Sequence, residues 1–239
     1  MEELLKLFRD EVSTASYAFF TWKTFNNVAS GDEDVYRAIN ETALTWNIVT
    51  HSLQSTFFIT LGRVFDVDGD SFSVHALLRE CINKIDEFNK ESLKARKIRE
   101  ANGQVPDWLE TYIEEAYEPT EKDFLRLRGE TSKIQRKYEG VYRPIRNKVI
   151  AHKDRDTLEN VKELFGKTNI NHIEEFIVFL HQIENIVFQL LHNGRLTNIG
   201  DHNFDDEGYV ANDVKKLLVE IKGLTRHSRR ARAKRAPLS

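Results

Sequence analysis

Apolar residues return every third or fourth position through most of this chain. Val12, Ala15, Phe19 and Trp22 begin the pattern. Val35, Ile39, Ala43, Trp46, Val49, Leu53, Phe57, Leu61 and Val64 hold it for about eight turns. Val74, Leu78, Ile82, Ile85 and Phe88 give a third stripe. Ile173, Phe176, Ile177, Leu180, Ile183, Val187 and Leu190 give another, and Val210, Val214, Leu217 and Ile221 a shorter last one. Such spacing lines one face of an α-helix. No segment alternates apolar and polar residues as a half-buried strand does. The pattern predicts an all-α fold, an antiparallel helical bundle of long helices joined by short loops. It predicts one helical domain over 1–225, followed by a basic, disordered tail over 226–239 where apolar residues run out.

The breaks between stripes have ordinary chemistry. Gly31-Asp32-Glu33-Asp34 separates the first two helices, with acids placed for the next N-terminus. Ser71 or Ser73 can cap the third. Residues 103–106 read as a loop. Pro119-Thr120-Glu121 and Asn169 read as helix starts. Gly140 and Pro144 mark a stop or a kink. Asn193-Gly194 ends the long late helix, and residues 195–206 form a polar loop.

Composition narrows the function. A single cysteine, Cys81, permits no internal disulfide and no multi-cysteine zinc site, and fits a reducing compartment. The first residues lack a secretory apolar region, and no run of about 18 apolar residues occurs. The chain therefore reads as cytoplasmic, with no membrane association. Net charge is −3, yet charge is segregated. Lys122–Arg155 holds 11 Lys/Arg against 4 Asp/Glu, and Lys222–Arg235 holds 7 Lys/Arg and no acid. Basic runs in an acidic chain suit a polyanionic partner, although a single run is commonly just a solvated helix face.

The first basic run contains Arg146-Asn147-Lys148-Val149-Ile150-Ala151-His152. Arginine grips a phosphate through two parallel N–H bonds, and histidine moves protons near neutral pH. RNA carries its own nucleophile in the 2′-hydroxyl. His152 is therefore the candidate acid or base, Arg146 the phosphate and charge-stabilising group, and Asn147 a hydrogen-bonding orienter. Lys148 shares a face with His152, four residues on, and with Arg143 and Lys153 supplies further phosphate-binding cations. This chemistry needs no metal and no cofactor. On an ideal helix, Arg146 and His152 point about 120° apart and sit about 9 Å apart along the axis. They do not converge alone; a second copy across a two-fold axis brings them together.

The order Arg, polar residue, four residues, His resembles the motif of the HEPN superfamily of helical RNases. The flanking Ile150-Ala151-His152-Lys153-Asp154 extends the likeness toward the abortive-infection U-type (AbiU-like) branch. So does the upstream stretch Leu61-Gly62-Arg63-Val64-Phe65-Asp66-Val67-Asp68-Gly69-Asp70-Ser71-Phe72-Ser73-Val74-His75-Ala76-Leu77-Leu78. The resemblance spans roughly residues 30–190. It implies a HEPN-type bundle that forms a homodimer with two motifs facing one cleft. It also implies a metal-independent endoribonuclease used in phage defence or as a toxin, with a neutralising protein partner. Arg146, Asn147 and His152 are the residues carried over. The same resemblance allows a non-catalytic module that binds RNA or a nucleotide, or a protein-interaction scaffold.

Other features point to structure. Asp66-Val67-Asp68-Gly69-Asp70 opens like a calcium loop, but its sixth and twelfth positions hold Ser71 and Leu77 instead of Gly and Glu. It reads as an interhelical turn, with Arg63 and Asp66 as an ion pair. Cys81, Trp22, Trp46 and Trp108 read as core, His51 as a core or boundary residue, and His181 and His192 as residues of a polar helix face. The arginines and lysines after 225 offer either sequence-independent RNA affinity or plain solubility.

Overall fold

A computed structural model describes residues 1–66, 72–145, 168–201 and 206–235. Among these residues all regular structure is helical. In chain order the helices are α1 (Glu2–Gly31), α2 (Glu33–Asn40), α3 (Ala43–Val64), α4 (Val74–Asn83), α5 (Lys90–Glu100) and α6 (Leu109–Glu115). They continue as α7 (Glu121–Ile145), α8 (Ile170–Phe188) and α9 (Asp206–Arg235). A 3₁₀ turn, Ile85–Phe88, follows α4, and a π turn, Gln189–Asn193, follows α8. No helix among the described residues is long and apolar enough to cross a membrane.

The all-α expectation holds, and several boundaries fall where the sequence put them. Ser73 caps α4 by accepting the Ala76 N–H at 3.3 Å. Asn169 caps α8 through Asn171 N–H at 2.9 Å. Gly194 closes the late helix in the left-handed region, φ 55°. A Cβ there would meet Ala116 Cβ and Leu93 Cδ2, each at 2.7 Å, so glycine is required by space as well as by angle.

Other expectations are corrected. The long second stripe divides at Glu41 and Thr42, where the backbone makes i→i+3 bonds to Ala38 and Ile39; periodicity in sequence survives a two-residue turn. The third stripe divides too, since Ile85 and Phe88 lie on the 3₁₀ turn. Helix α7 runs through Gly140 and carries Pro144 in its last turn. Helix α5 went unnoticed because it has no apolar stripe; its buried residues are Leu93 and Arg96. Helix α9 runs from Asp206 to Arg235, in keeping with the strong helix propensity of the Ala, Arg and Lys in its last turns. On α9 the inward residues are Val214 and Leu218, while Leu217 is 50% exposed. One position along a helix is about 100°, enough to reverse that assignment.

Single residues move as well. Trp22 and Trp46 are half-buried, but Trp108 is 52% exposed, at the start of the short α6. His51 is exposed, because the first half of α3 faces solvent. His181 is buried, one turn beyond Ile177 on the inward face of α8. His192 is half-buried with Nδ1 3.7 Å from Glu100. Arg63 pairs with Glu11 at 2.7 Å. Cys81 is fully buried, and burial pushes its thiol well above the usual range.

The chain divides into two compact units. The first comprises Met1–Ser13 and Phe58–Phe204, the second Thr14–Phe57 and Asp205–Ser239. The first unit is centred on aromatic rings. Phe65 stacks on Tyr138 at 5.1 Å, Tyr138 on Tyr142 at 6.1 Å, and Phe176 meets Tyr142 edge-on at 5.2 Å. The second unit packs α2 against α9 through Phe25, Val35, Ile39, Val214 and Leu218, with Trp46 stacked on Phe25 at 5.1 Å. Asp32 ties that unit twice: it caps α2 through the Asp34 and Val35 amides, and its other oxygen accepts from Lys222 at 2.5 Å.

Candidate functional site

Arg146, Asn147, Lys148, His152 and Lys153 lie outside the described residues. Arg143 is the one candidate within them, in the last turn of α7. What the structure shows is the frame from which the motif departs and to which the chain returns.

Helix α7 is built to hold that frame. Its inward residues are Phe124, Leu127, Thr131, Gln135, Tyr138, Tyr142 and Ile145, at steps of three and four. Two of these positions, Tyr142 and Gln135, carry polar groups that bond to other segments of the chain. The Tyr142 hydroxyl donates to the Asn169 carbonyl at 2.8 Å and accepts the Asn169 N–H at 3.0 Å. One oxygen thus joins the end of α7 to the cap of α8, across 27 residues of sequence. The His172 ring lies edge-on to Tyr142 at 6.4 Å, and Lys137 pairs with Glu175 at 2.6 Å. Burial raises the Tyr142 pKa, so its phenol stays protonated and keeps donating.

Gln135 begins a polar chain that ends at Arg143. Its carbonyl oxygen lies 2.6 Å from His75 Nε2, which therefore carries the hydrogen in that pair. Its amide nitrogen donates to Glu139 at 3.1 Å and, weakly, to the Phe65 carbonyl at 3.4 Å. Glu139 in turn accepts from Arg143 at 3.3 Å. The sequence His75, Gln135, Glu139, Arg143 thus links α4 to the last turn of α7 by side-chain bonds. Burial holds His75 below its ordinary pKa, and the nearby Arg128 charge acts the same way against the opposing Gln135 bond. A neutral His75 can only donate through Nε2 here, which fixes the orientation of the Gln135 amide.

The stretch Leu61–Leu78 contributes to the same region. Leu61, Phe65, Leu77 and Leu78 are buried, and Gly62, Phe65 and Asp66 line a shallow recess with Tyr138, Glu139 and Arg143. Residues 67–71 of that stretch lie outside the described residues.

Sequence reasoning missed His75, Gln135, Glu139 and the Tyr142–Asn169 clasp. The signal was present in part. A glutamine between Thr131 and Tyr138 on an inward stripe needs a buried polar partner. Nothing in the sequence identified that partner as His75, 60 residues earlier.

The chain matches the family model HEPN_AbiU2, described as AbiU2, over residues 1–217. No curated protein and no solved structure matches it.

Proposed function

Because this chain belongs to the AbiU2 family of HEPN proteins, we propose that it is a metal-independent endoribonuclease acting as a homodimer in phage defence or as a toxin. In this reading the RNA 2′-hydroxyl attacks the adjacent phosphorus. The bond from phosphorus to the 5′-oxygen breaks, leaving a 2′,3′-cyclic phosphate and a free 5′-hydroxyl. One copy of His152 takes the 2′-hydroxyl proton and the other protonates the leaving oxygen. Arg146 holds the phosphate and offsets the charge that builds on it. Asn147 orients the ligand, and Arg143, Lys148 and Lys153 add phosphate affinity.

The observation that carries the reading is the Arg146-to-His152 motif itself, beginning one residue after the last described residue of α7. The polar chain ending at Arg143 supports it, because a half-exposed guanidinium on Glu139 can exchange that carboxylate for a phosphate. The test is incubation of the full chain with mixed RNA in excess chelator. Wild-type protein yields fragments ending in cyclic phosphate. His152→Ala and Arg146→Ala each reduce the rate by about 100-fold or more. Undiminished cleavage in both variants overturns the assignment. Intact RNA with salt-dependent retention identifies a binding module instead.

A further inference from the structure

Helix α3 carries no Asp, Glu, Lys or Arg before Arg63, and the charge-free stretch spans residues 42–62. In a chain that is 31% charged, such a stretch suits an interior. Its second part is buried, at Phe57, Phe58, Leu61 and Val64. Its first part is not. None of residues 43–56 is fully buried; Leu44 is 76% exposed, Ile48 59% and Val49 38%. Helix α7, by contrast, meets water with Lys122, Arg126, Lys133, Arg136 and Lys137.

Residues 43–56 also form a helix against their own preferences. Thr45, Ile48, Val49 and Thr50 are β-branched, Asn47, His51, Ser52 and Ser55 are weak helix formers, and no i,i+4 ion pair can form among them. A helix of this make depends on packing. Trp46 supplies it on one side, stacked on Phe25 at 5.1 Å. Leu44, Ile48, His51 and Ser55 lie on the opposite side, within about 60° of one another, at steps of four, three and four.

The chemistry of that side selects its occupant. It has no cation for a nucleic-acid backbone. It has none of the Lys or Arg that hold a helix on a membrane surface. A partner with a charged face would bury those charges unpaired. Its polar groups are the hydroxyls of Thr45, Ser52 and Ser55, the Asn47 amide and the His51 ring. Hydroxyls, amides and neutral imidazoles both donate and accept hydrogen bonds. Such a surface pairs with itself. Across a two-fold axis each group meets a copy that can take the opposite role, and no like charges are brought together.

We propose that residues 44–55 of α3 form a homodimer face, packed about a two-fold axis against the same residues of a second copy. Leu44 and Ile48 are its apolar contacts, and the small Ser52 and Ser55 let the two helices approach closely. This gives the proposed homodimer a face without using any motif residue. A dimer that leaves RNA intact therefore sinks the nuclease and not the face.

Sedimentation velocity of the full chain over about 1–100 µM tests it. The wild type dimerises. Ile48→Arg weakens the dimer by about 10-fold or more, and Leu44→Arg combined with Ile48→Arg leaves a monomer. Both positions are exposed, so far-UV circular dichroism stays unchanged in the variants. Ser52→Cys and Ser55→Cys, oxidised separately, give a disulfide-linked dimer, because the native Cys81 is buried and a thiol near the axis meets its own copy. Asp107→Cys, on an exposed turn of the first unit, gives none. A wild type that stays monomeric overturns the proposal, and so does a dimer that survives both arginines. Two monomeric outcomes name another occupant and equally exclude the second copy. Hydrogen-exchange protection of residues 43–56 that ignores concentration assigns the cover to the chain itself. Protection gained only with phosphatidylcholine vesicles assigns it to lipid.

Discussion

The two compact units use their aromatic residues differently. In the first, Phe65, Tyr138, Tyr142 and Phe176 form a continuous set of stacked and edge-on rings, and a polar chain from His75 to Arg143 is threaded beside them. In the second, Phe19 meets Phe20 and Phe57 edge-on at 5.2 and 5.5 Å, while the cluster that packs α2 against α9, around Phe25, Val35, Ile39, Val214 and Leu218, is mainly aliphatic. Rings with few rotamers fix the positions of neighbouring polar groups. A thin aliphatic cluster fixes fewer.

The comparison can be broken by truncation. Phe176→Ala should cost about 3–5 kcal/mol, because the rings around it cannot close the cavity. Leu218→Ala should lie near the low end of the usual range of about 2–5 kcal/mol, since its open cluster can collapse. Equal losses in urea unfolding would remove the contrast. Gly194→Ala should come next, at about 2–4 kcal/mol, summing a left-handed backbone with overlap against Ala116 and Leu93. A loss under about 0.5 kcal/mol would mean that the α5–α6 side yields, and that the first unit is softer than its rings suggest.

The smallest effect is in pH. His75 and His192 both have pKa values lowered by burial. Each is protonated more readily in the unfolded chain, so the unfolded state binds more protons below the ordinary value of 6.5. Stability is therefore full above 6.5 and declines as pH falls through that value. The lowered carboxylates of Asp32, Glu100 and Asp123 act lower, as pH falls below about 4.5. Replacing His75 with Gln keeps a donor for Gln135 and should flatten, without abolishing, the slope of the urea midpoint between pH 6.5 and 5. An unchanged slope would place the pH sensitivity of this range outside the polar chain.

Much of the architecture was legible because burial on a helix leaves a period. The inward face of α8 and the caps at Ser73, Asn169 and Gly194 follow from local chemistry alone. Helix α5 was illegible for the same reason reversed: its inward residue at 96 is an arginine, which no hydrophobic pattern counts. The Leu217 and Leu218 exchange shows that four apolar residues on a helix of 30 residues do not fix rotation to within one position. The candidate motif was legible as a string of residue types. Its supporting groups were not, because His75 and Gln135 meet only through tertiary packing of α4 on α7.

The Tyr142 hydroxyl works as a single rivet. It gives one bond to Asn169 and takes another from the same residue, so the outgoing and incoming strands of chain pass through one atom. Losing that atom would strip two backbone groups of their partner in one stroke, at the cap from which α8 grows. Both ends of that segment are therefore set by one phenol, whatever lies between them, and position 142 governs where α8 begins.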